Sequence, residues 1–325
     1  MVNTGRPCFP TPFVGCGKNE NPSFHLFLLF QLRMKHFAFL SLAFFPLLSD
    51  AQDTSLHEYL SDDQPWVEAV SGYTFTDGLC TDSAGNLYFT DVKAGKGIYK
   101  LDAATGKTDL FLDNLPGISG LQIGPDGRFY ACHNREQRII AISMKGEVEE
   151  LLTGVKCNDL VVSKKGHLYF TETPTQCIHL ITADKKHIIA DEGHVAKPNG
   201  ITISPDEATL AVSEYGGKHV WTWRIEPDGT LTGGAPFMTM WLPVGKESAS
   251  GDGSTTEANG RYFVTTELGV QIFDPAGRLA GIIAKPVRDG KVVSVEFAGK
   301  DHNILYVAAG DKIFGRKLKV SGYFK

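Results

Sequence analysis

Four oxygen-bearing side chains stand at equivalent places in this 325-residue sequence: Asp77, Asn158, Asn199 and Asp252. Each opens a short segment of one form, as in "DGLCTDSAGNLYFTD", "NDLVVSKKGHLYFTE", "NGITISPDEATLAVSE" and "DGSTTEANGRYFVTT". Two carboxylates and two amides, with no histidine or cysteine, make an all-oxygen donor set. Such a set suits one hard divalent cation, calcium first, with magnesium, manganese or zinc as alternatives. The carboxylates would neutralise its charge and the amides would add carbonyl oxygens. Any one of these residues alone reads as a cap bonding the start of a strand. Four in phase point to a shared centre.

Phase requires a repeat, and the repeat is visible. Two further copies begin at Ser119 ("SGLQIGPDGRFYACH") and, more weakly, at Ser294 ("SVEFAGKDHNILYVAA"). The six starts are separated by 42, 39, 41, 53 and 42 residues. Each unit runs through an apolar strand, a Gly/Asp/Asn turn and a second strand such as "LYF". A second hairpin follows, such as "GIYKLDAATGKTDLFL". Four short strands in units of roughly 40–45 residues predict an all-β chain, a six-bladed β-propeller with four antiparallel strands per blade. The innermost strand of each blade then starts at one end of a central channel. Asp77, Ser119, Asn158, Asn199, Asp252 and Ser294 would converge on that mouth. The strand-like "WVEAVSG" of Trp66–Gly72 precedes the first unit and is expected to complete the last blade, closing the ring. The 53-residue interval holds an insertion near "MTMWLPVGKESASG", expected as a loop over one face.

Composition is that of an ordinary globular chain, 42% hydrophobic and 21% charged, with a formal net charge of -5. There is no basic footprint for nucleic acid. From Met34, "MKHFAFLSLAFFPLLSDAQ" reads as a signal peptide over residues 34–51, cleaved after Ala51. Its apolar run is too short to span a membrane. Residues 1–33 show no period and read as an upstream mis-start or disordered leader. The propeller would then occupy residues 52–325 of an exported protein, periplasmic or secreted. Cys80, Cys132, Cys157 and Cys177 lie in or beside strand-like runs without CxxC spacing. Export permits disulfides, but buried free thiols are the favoured reading.

The phased motifs carry a resemblance. "KCNDLVVSKKGHLYFTE", "KPNGITISPDEATLAVSE" and "SGDGSTTEANGRYFVTTELGVQIFDPAGRLAGII" resemble the Asn-Asp, Pro-Asn-Gly and Asp-Gly blades of one propeller family. It is the gluconolactonase, senescence-marker-protein and luciferin-regenerating-enzyme group, and the likeness runs from about Val67 to Val320. The resemblance implies one divalent cation on the axis and hydrolysis of sugar lactones. It makes Asn199 and Asp252 the firmest ligands, with Asn158 facing metal or substrate and Asp77 completing the set. Asp77 stands in "FTDGL" where the family generally has Glu, and Ser119 where many members carry Asn. The shorter Asp77 arm could lengthen a metal bond, insert a water or change the preferred ion.

The chemistry so implied is lactone opening by water, with Asp252 as the base that takes its proton. A neutral sugar lactone fits an acidic mouth better than an anionic one. In "ACHNREQRI", His133 and Arg135, with Ser119, are candidate substrate contacts; Arg135 could hold a hydroxyl or carboxylate, or an outer ion pair. Glu172, ending "YFTE", reads as second-layer support or a solvated strand end. No Gly-x-Ser-x-Gly or His-Glu-x-x-His motif supports a serine hydrolase or zincin. Three alternatives stay open: a metal-dependent phosphotriesterase-like hydrolase, a ligand-binding propeller with a structural ion, and a quinone-dependent sugar dehydrogenase, whose basic cofactor contacts are not evident in the sequence. Oligomeric state is not legible.

Overall fold

The computed structural model describes residues 56–61 and 63–324. The expected leader at 1–33, the signal segment at 34–51 and the cleavage after Ala51 lie outside the described residues. The rest forms six four-stranded sheets, all antiparallel, with only two short 3-10 turns among the described residues. Five sheets are built from consecutive strands. The sixth pairs Lys312–Lys317 with the amino-terminal strand Val67–Val70, which closes the ring as the sequence suggested.

Burial explains which sequence runs become which strands. Second strands such as Leu87–Asp91, Leu168–Glu172 and Tyr262–Thr266 are buried at every position, because neighbouring blades cover both faces. They read as continuous runs rather than alternating ones. Outermost strands such as His187–Glu192 are largely exposed, Ile188 and Ile189 included. The apolar side chains fall into six clusters, and each cluster draws on two adjacent blades. Phe129, Phe170 and Phe263 are among the fully buried rings filling these seams. The ring is therefore held blade against blade, leaving its axis free for polar groups.

Polar latches across the same seams position the channel mouth. Thr171 Oγ1 donates to the Asn199 carbonyl at 2.7 Å, and Ser213 Oγ to the Asp252 carbonyl at 2.8 Å. Ser119 Oγ donates to the Asn158 carbonyl at 2.7 Å, and Thr90 Oγ1 to the Ile118 carbonyl at 2.9 Å. Asn158, Asn199 and Asp252 are thus each tied through their carbonyl to the blade before, and so is Ile118, next to Ser119. Ser213→Ala is expected to cost about 1–2 kcal/mol, because the Asp252 carbonyl loses a buried donor. That corresponds to a fall of roughly 3–6 °C in thermal midpoint; an unchanged midpoint would refute the latch.

The hydrogen-bond register corrects one expectation. Asp77 pairs with Thr90, and Ser119, Asn158 and Asp252 donate their N–H to Cys132, Thr171 and Thr265. In the last blade it is Val293 that donates to Ala308, at 3.0 Å, while Ser294 lies level with Gly78, Gly120, Asp159, Gly200 and Gly253. The hairpin through Gly299 and His302 is longer than its counterparts, so alignment on the turn shifts the start by one residue. The sixth place on the ring is apolar.

Candidate active site at the channel mouth

The Asn-Gly and Asp-Gly pairs owe their glycines to close approach. A Cβ on Gly200 would lie 2.0 Å from the Asp252 carbonyl oxygen, and one on Gly78 would lie 2.9 Å from that of Ser119. Inner strands crowd at the axis, and glycine after each ring residue lets the next blade's backbone sit against it. The side chains of Asp77, Asn158 and Asp252 keep partial access at the mouth, and Asn199 is buried to 7% exposure. Neither amide makes a side-chain hydrogen bond among the described residues. Their oxygens are free to ligate.

A third carboxylate stands one residue below the ring. Asp159 occupies the place where four other blades carry glycine, directly beside Gly120 and beneath the mouth. The sequence reading passed over it. Its signal was present, as a carboxylate breaking a glycine row in "ND" against "DG", "SG", "NG" and "DG".

The three carboxylates are electrostatically costly together. Burial lifts Asp77 to about 7, with Asp159 adding to the rise and the Gly78 N–H opposing it. Burial likewise lifts Asp159 to about 7, against the Leu160 and Ile201 N–H groups. Asp252 is pushed well above the usual carboxylate range by burial, then by Asp77 and Asp159, with only slight relief from the Gly253 N–H and Lys291. Like charges held this close in a poorly hydrated mouth call for a compensating cation. Among the described residues no three acidic, imidazole or thiol groups form a ready-made metal cluster, so the Asn158 and Asn199 amides would have to complete the set. Ser254 Oγ, two residues past Asp252, is buried without a partner and adds another unsatisfied oxygen. This chemistry fits a hard divalent ion. Below the ring the channel opens into a cavity of about 390 Å³ reached by Asp159, Ser254 and Glu296.

Other sequence candidates fall elsewhere. His133 is 1% exposed. Its Nε2 lies 2.8 Å from the Pro116 carbonyl, and its Nδ1 accepts from Arg138 at 3.3 Å. Both ring nitrogens serve the fold. Arg135 is exposed, lies over Gly117 and donates to the Lys93 carbonyl at 3.1 Å, so it borders the first and second blades. Ser119 lies on the ring with its hydrogen spent on the Asn158 carbonyl. Glu172 is buried rather than solvated; it accepts from Lys156 N–H at 2.7 Å and from Thr175 Oγ1 at 2.8 Å. Cys80, Cys132, Cys157 and Cys177 are buried free thiols, as expected.

Comparison with known proteins agrees with this fold. The family pattern described as SMP-30/Gluconolactonase/LRE-like region matches residues 57–311. A gluconolactonase of Zymomonas mobilis is 24% identical over 232 residues, 64% of this chain and 65% of that protein, slightly under two thirds of its length. Among solved structures, a gluconolactonase from Xanthomonas campestris aligns with a TM-score of 0.70 at 21% identity, covering 82% of this chain and 94% of the other. Regucalcin from Agrobacterium tumefaciens, a calcium-binding protein, aligns with a TM-score of 0.65 at 17% identity over 80% and 97% of the two chains. At these identities the structural likenesses speak to the fold. The extent of the family match goes further: this chain belongs to the SMP-30/gluconolactonase/LRE-like family.

Proposed function

We propose that the protein is a divalent-cation-dependent lactonase that opens a sugar lactone. The observation that carries this reading is the convergence of Asp77, Asp159 and Asp252 with two free amides on one propeller mouth, in a family with a member named gluconolactonase. Asp77, Asn199 and Asp252 would hold the cation, with Asn158 beside them. Calcium is the first choice on donor chemistry and on the calcium named for the regucalcin neighbour. Such an ion supplies Lewis-acid polarisation of the lactone carbonyl and acidifies water. Asp252, whose surroundings raise its proton affinity, accepts the proton of the attacking water on a carboxylate oxygen. Asn158 orients the lactone through its amide, and Arg135 borders the opening opposite. Buried Val293 closes the sixth side of the ring without a competing ligand.

Ring-opening of glucono-1,5-lactone, followed by pH-stat, tests this directly. EDTA is expected to lower the initial rate more than tenfold, and calcium should restore it. A rate indifferent to chelation, or no turnover across a lactone panel, would discard the reading. Triester turnover in the same panel would favour the phosphotriesterase alternative. Export belongs to the same proposal: the mature protein should begin at Gln52 by mass spectrometry, and retention of residues 1–33 would refute it.

A further inference from the structure

The mouth is acidic only at its centre. Two residues before each ring position the chain crosses the rim, and three of those six places hold lysine: Lys156, Lys197 and Lys291, all exposed. On the arc from Asn199 through Asp252 to Val293, the rim broadens into an open cavity of about 960 Å³. Its wall is the long insertion at Gly245–Ser248, the loop from Lys285 to Lys291, Lys197 and Tyr215. Five cations line it, Lys197, Lys246, Lys285, Arg288 and Lys291, against three carboxylates, Glu247, Glu267 and Asp289. This local excess of positive charge sits on a chain of net charge -5.

Those cations are also uncommitted. Arg128, Arg138, Arg224, Arg261 and Arg278 each engage a carboxylate. Among the described residues, none of the five cavity cations forms an ion pair. Lys285 Nζ instead donates to the Gly290 carbonyl at 2.7 Å, and Lys291 Nζ lies 4.9 Å from the centroid of the Tyr215 ring and bonds its hydroxyl. The loops are thus braced while their charges stay available. Solvated lysines on a rim are common and often carry no function. Here they surround a concave space beside the candidate base, with room beyond a six-carbon lactone.

We propose that this cavity binds an anionic group on the substrate, remote from the lactone carbonyl. The substrate class becomes a sugar lactone bearing a second ionised group, a carboxylate or a phosphate. This inference rests on the lactonase reading and narrows it. It also reverses the expectation of a neutral lactone, which considered the ring carboxylates without the lysines that stand two residues ahead of Asn158, Asn199 and Val293. With the lactone carbonyl over Asp252 and Asn199, the far end of the molecule would lie over Lys246 and Arg288. Attraction to several cations across a partly enclosed space gives selectivity that salt weakens.

Binding of open-chain acids separates this inference from catalysis. In calcium-free, EDTA-treated full-length protein, calorimetry compares gluconate, glucarate and 6-phosphogluconate, which differ only at the remote end. The remote anion is expected to tighten binding about tenfold at low ionic strength, with most of the gain lost in 0.5 M salt. Preference for glucarate or for 6-phosphogluconate identifies carboxylate or phosphate as the natural group. Lys246→Gln with Arg288→Gln, both exposed, should abolish the gain while leaving gluconate binding and thermal midpoint unchanged. Equal affinities for all three acids, or a gain that survives both substitutions, would overturn the proposal whether or not the calcium-loaded enzyme opens lactones.

Discussion

Asp252→Asn is expected to leave a lactonase deficit of roughly 10²–10⁴-fold that saturating calcium does not repair, the usual scale of lost general-base catalysis. The substitution keeps size and hydrogen-bonding shape, and the Asp252 backbone remains latched by Ser213 Oγ at 2.8 Å. What changes is one negative charge and the one group on the ring whose proton affinity is raised by two carboxylate neighbours. If Asp252 only held the ion, excess cation would recover most of the rate. Asn199→Ala separates the two roles. Its amide oxygen is a neutral donor that does no proton transfer, and its carbonyl latch to Thr171 is backbone and survives. Its activity should therefore fall at low calcium and recover largely at high calcium. Initial rates against calcium concentration, with bound metal measured in parallel, distinguish the outcomes. Stoichiometric metal with full activity in both variants would remove these residues from the site.

The repeat made the architecture legible because a propeller writes its period into the chain. Every blade needs a turn, a second strand buried throughout and a more exposed outer strand, and "LYFTD", "LYFTE" and "YFVTT" mark three of the second strands directly. Closure was legible too, since Val67–Val70 had no partner of its own. The site was legible where one residue type recurred in phase. It failed where phase depended on hairpin length, which placed Ser294 one residue off the ring. Asp159 was missed for a related reason: it follows a strong candidate, Asn158, and the pair was read as one donor. The basic rim was missed because Lys246, Arg288 and Lys291 come from the fourth-to-fifth and fifth-to-sixth blade connections, and only the fold gathers them. Net charge, summed over the whole chain, concealed the local excess. His133 shows the reverse error. A histidine in an entrance-like motif was drawn inward by two hydrogen bonds that no spacing announces.

Stripped of divalent ions, the protein is expected to lose stability as pH rises from 5 to 8, a fall that bound calcium should flatten. Asp77 and Asp159 each move from an ordinary value of 3.8 to about 7 in the folded state. Well below 3.8 both carboxyls are protonated whether folded or not, so they contribute no difference. Between about 4 and 7 the unfolded chain ionises them while the fold still binds the protons. The unfolded state then holds fewer protons, and stability must fall with rising pH. Above 7 the penalty from these two is complete, and Asp252, also raised by burial and by Asp77 and Asp159, adds to the fall. One pKa unit is worth about 1.4 kcal/mol; screening by water at the mouth brings the combined penalty to the order of 4 kcal/mol. For a domain of this size that is roughly 10 °C of thermal midpoint. A bound cation removes the penalty by stabilising the ionised carboxylates, so calcium should flatten the profile and its stabilising effect should be greatest at pH 8. Asp159→Asn supplies the control: removing one of the three charges should make the chelated protein more stable at pH 8 and nearly unchanged at pH 4. Thermal scans in EDTA and in calcium across this range measure both effects. A chelated midpoint that stays level or climbs from pH 5 to 8 would mean that the three carboxylates are not the strained centre the fold makes of them.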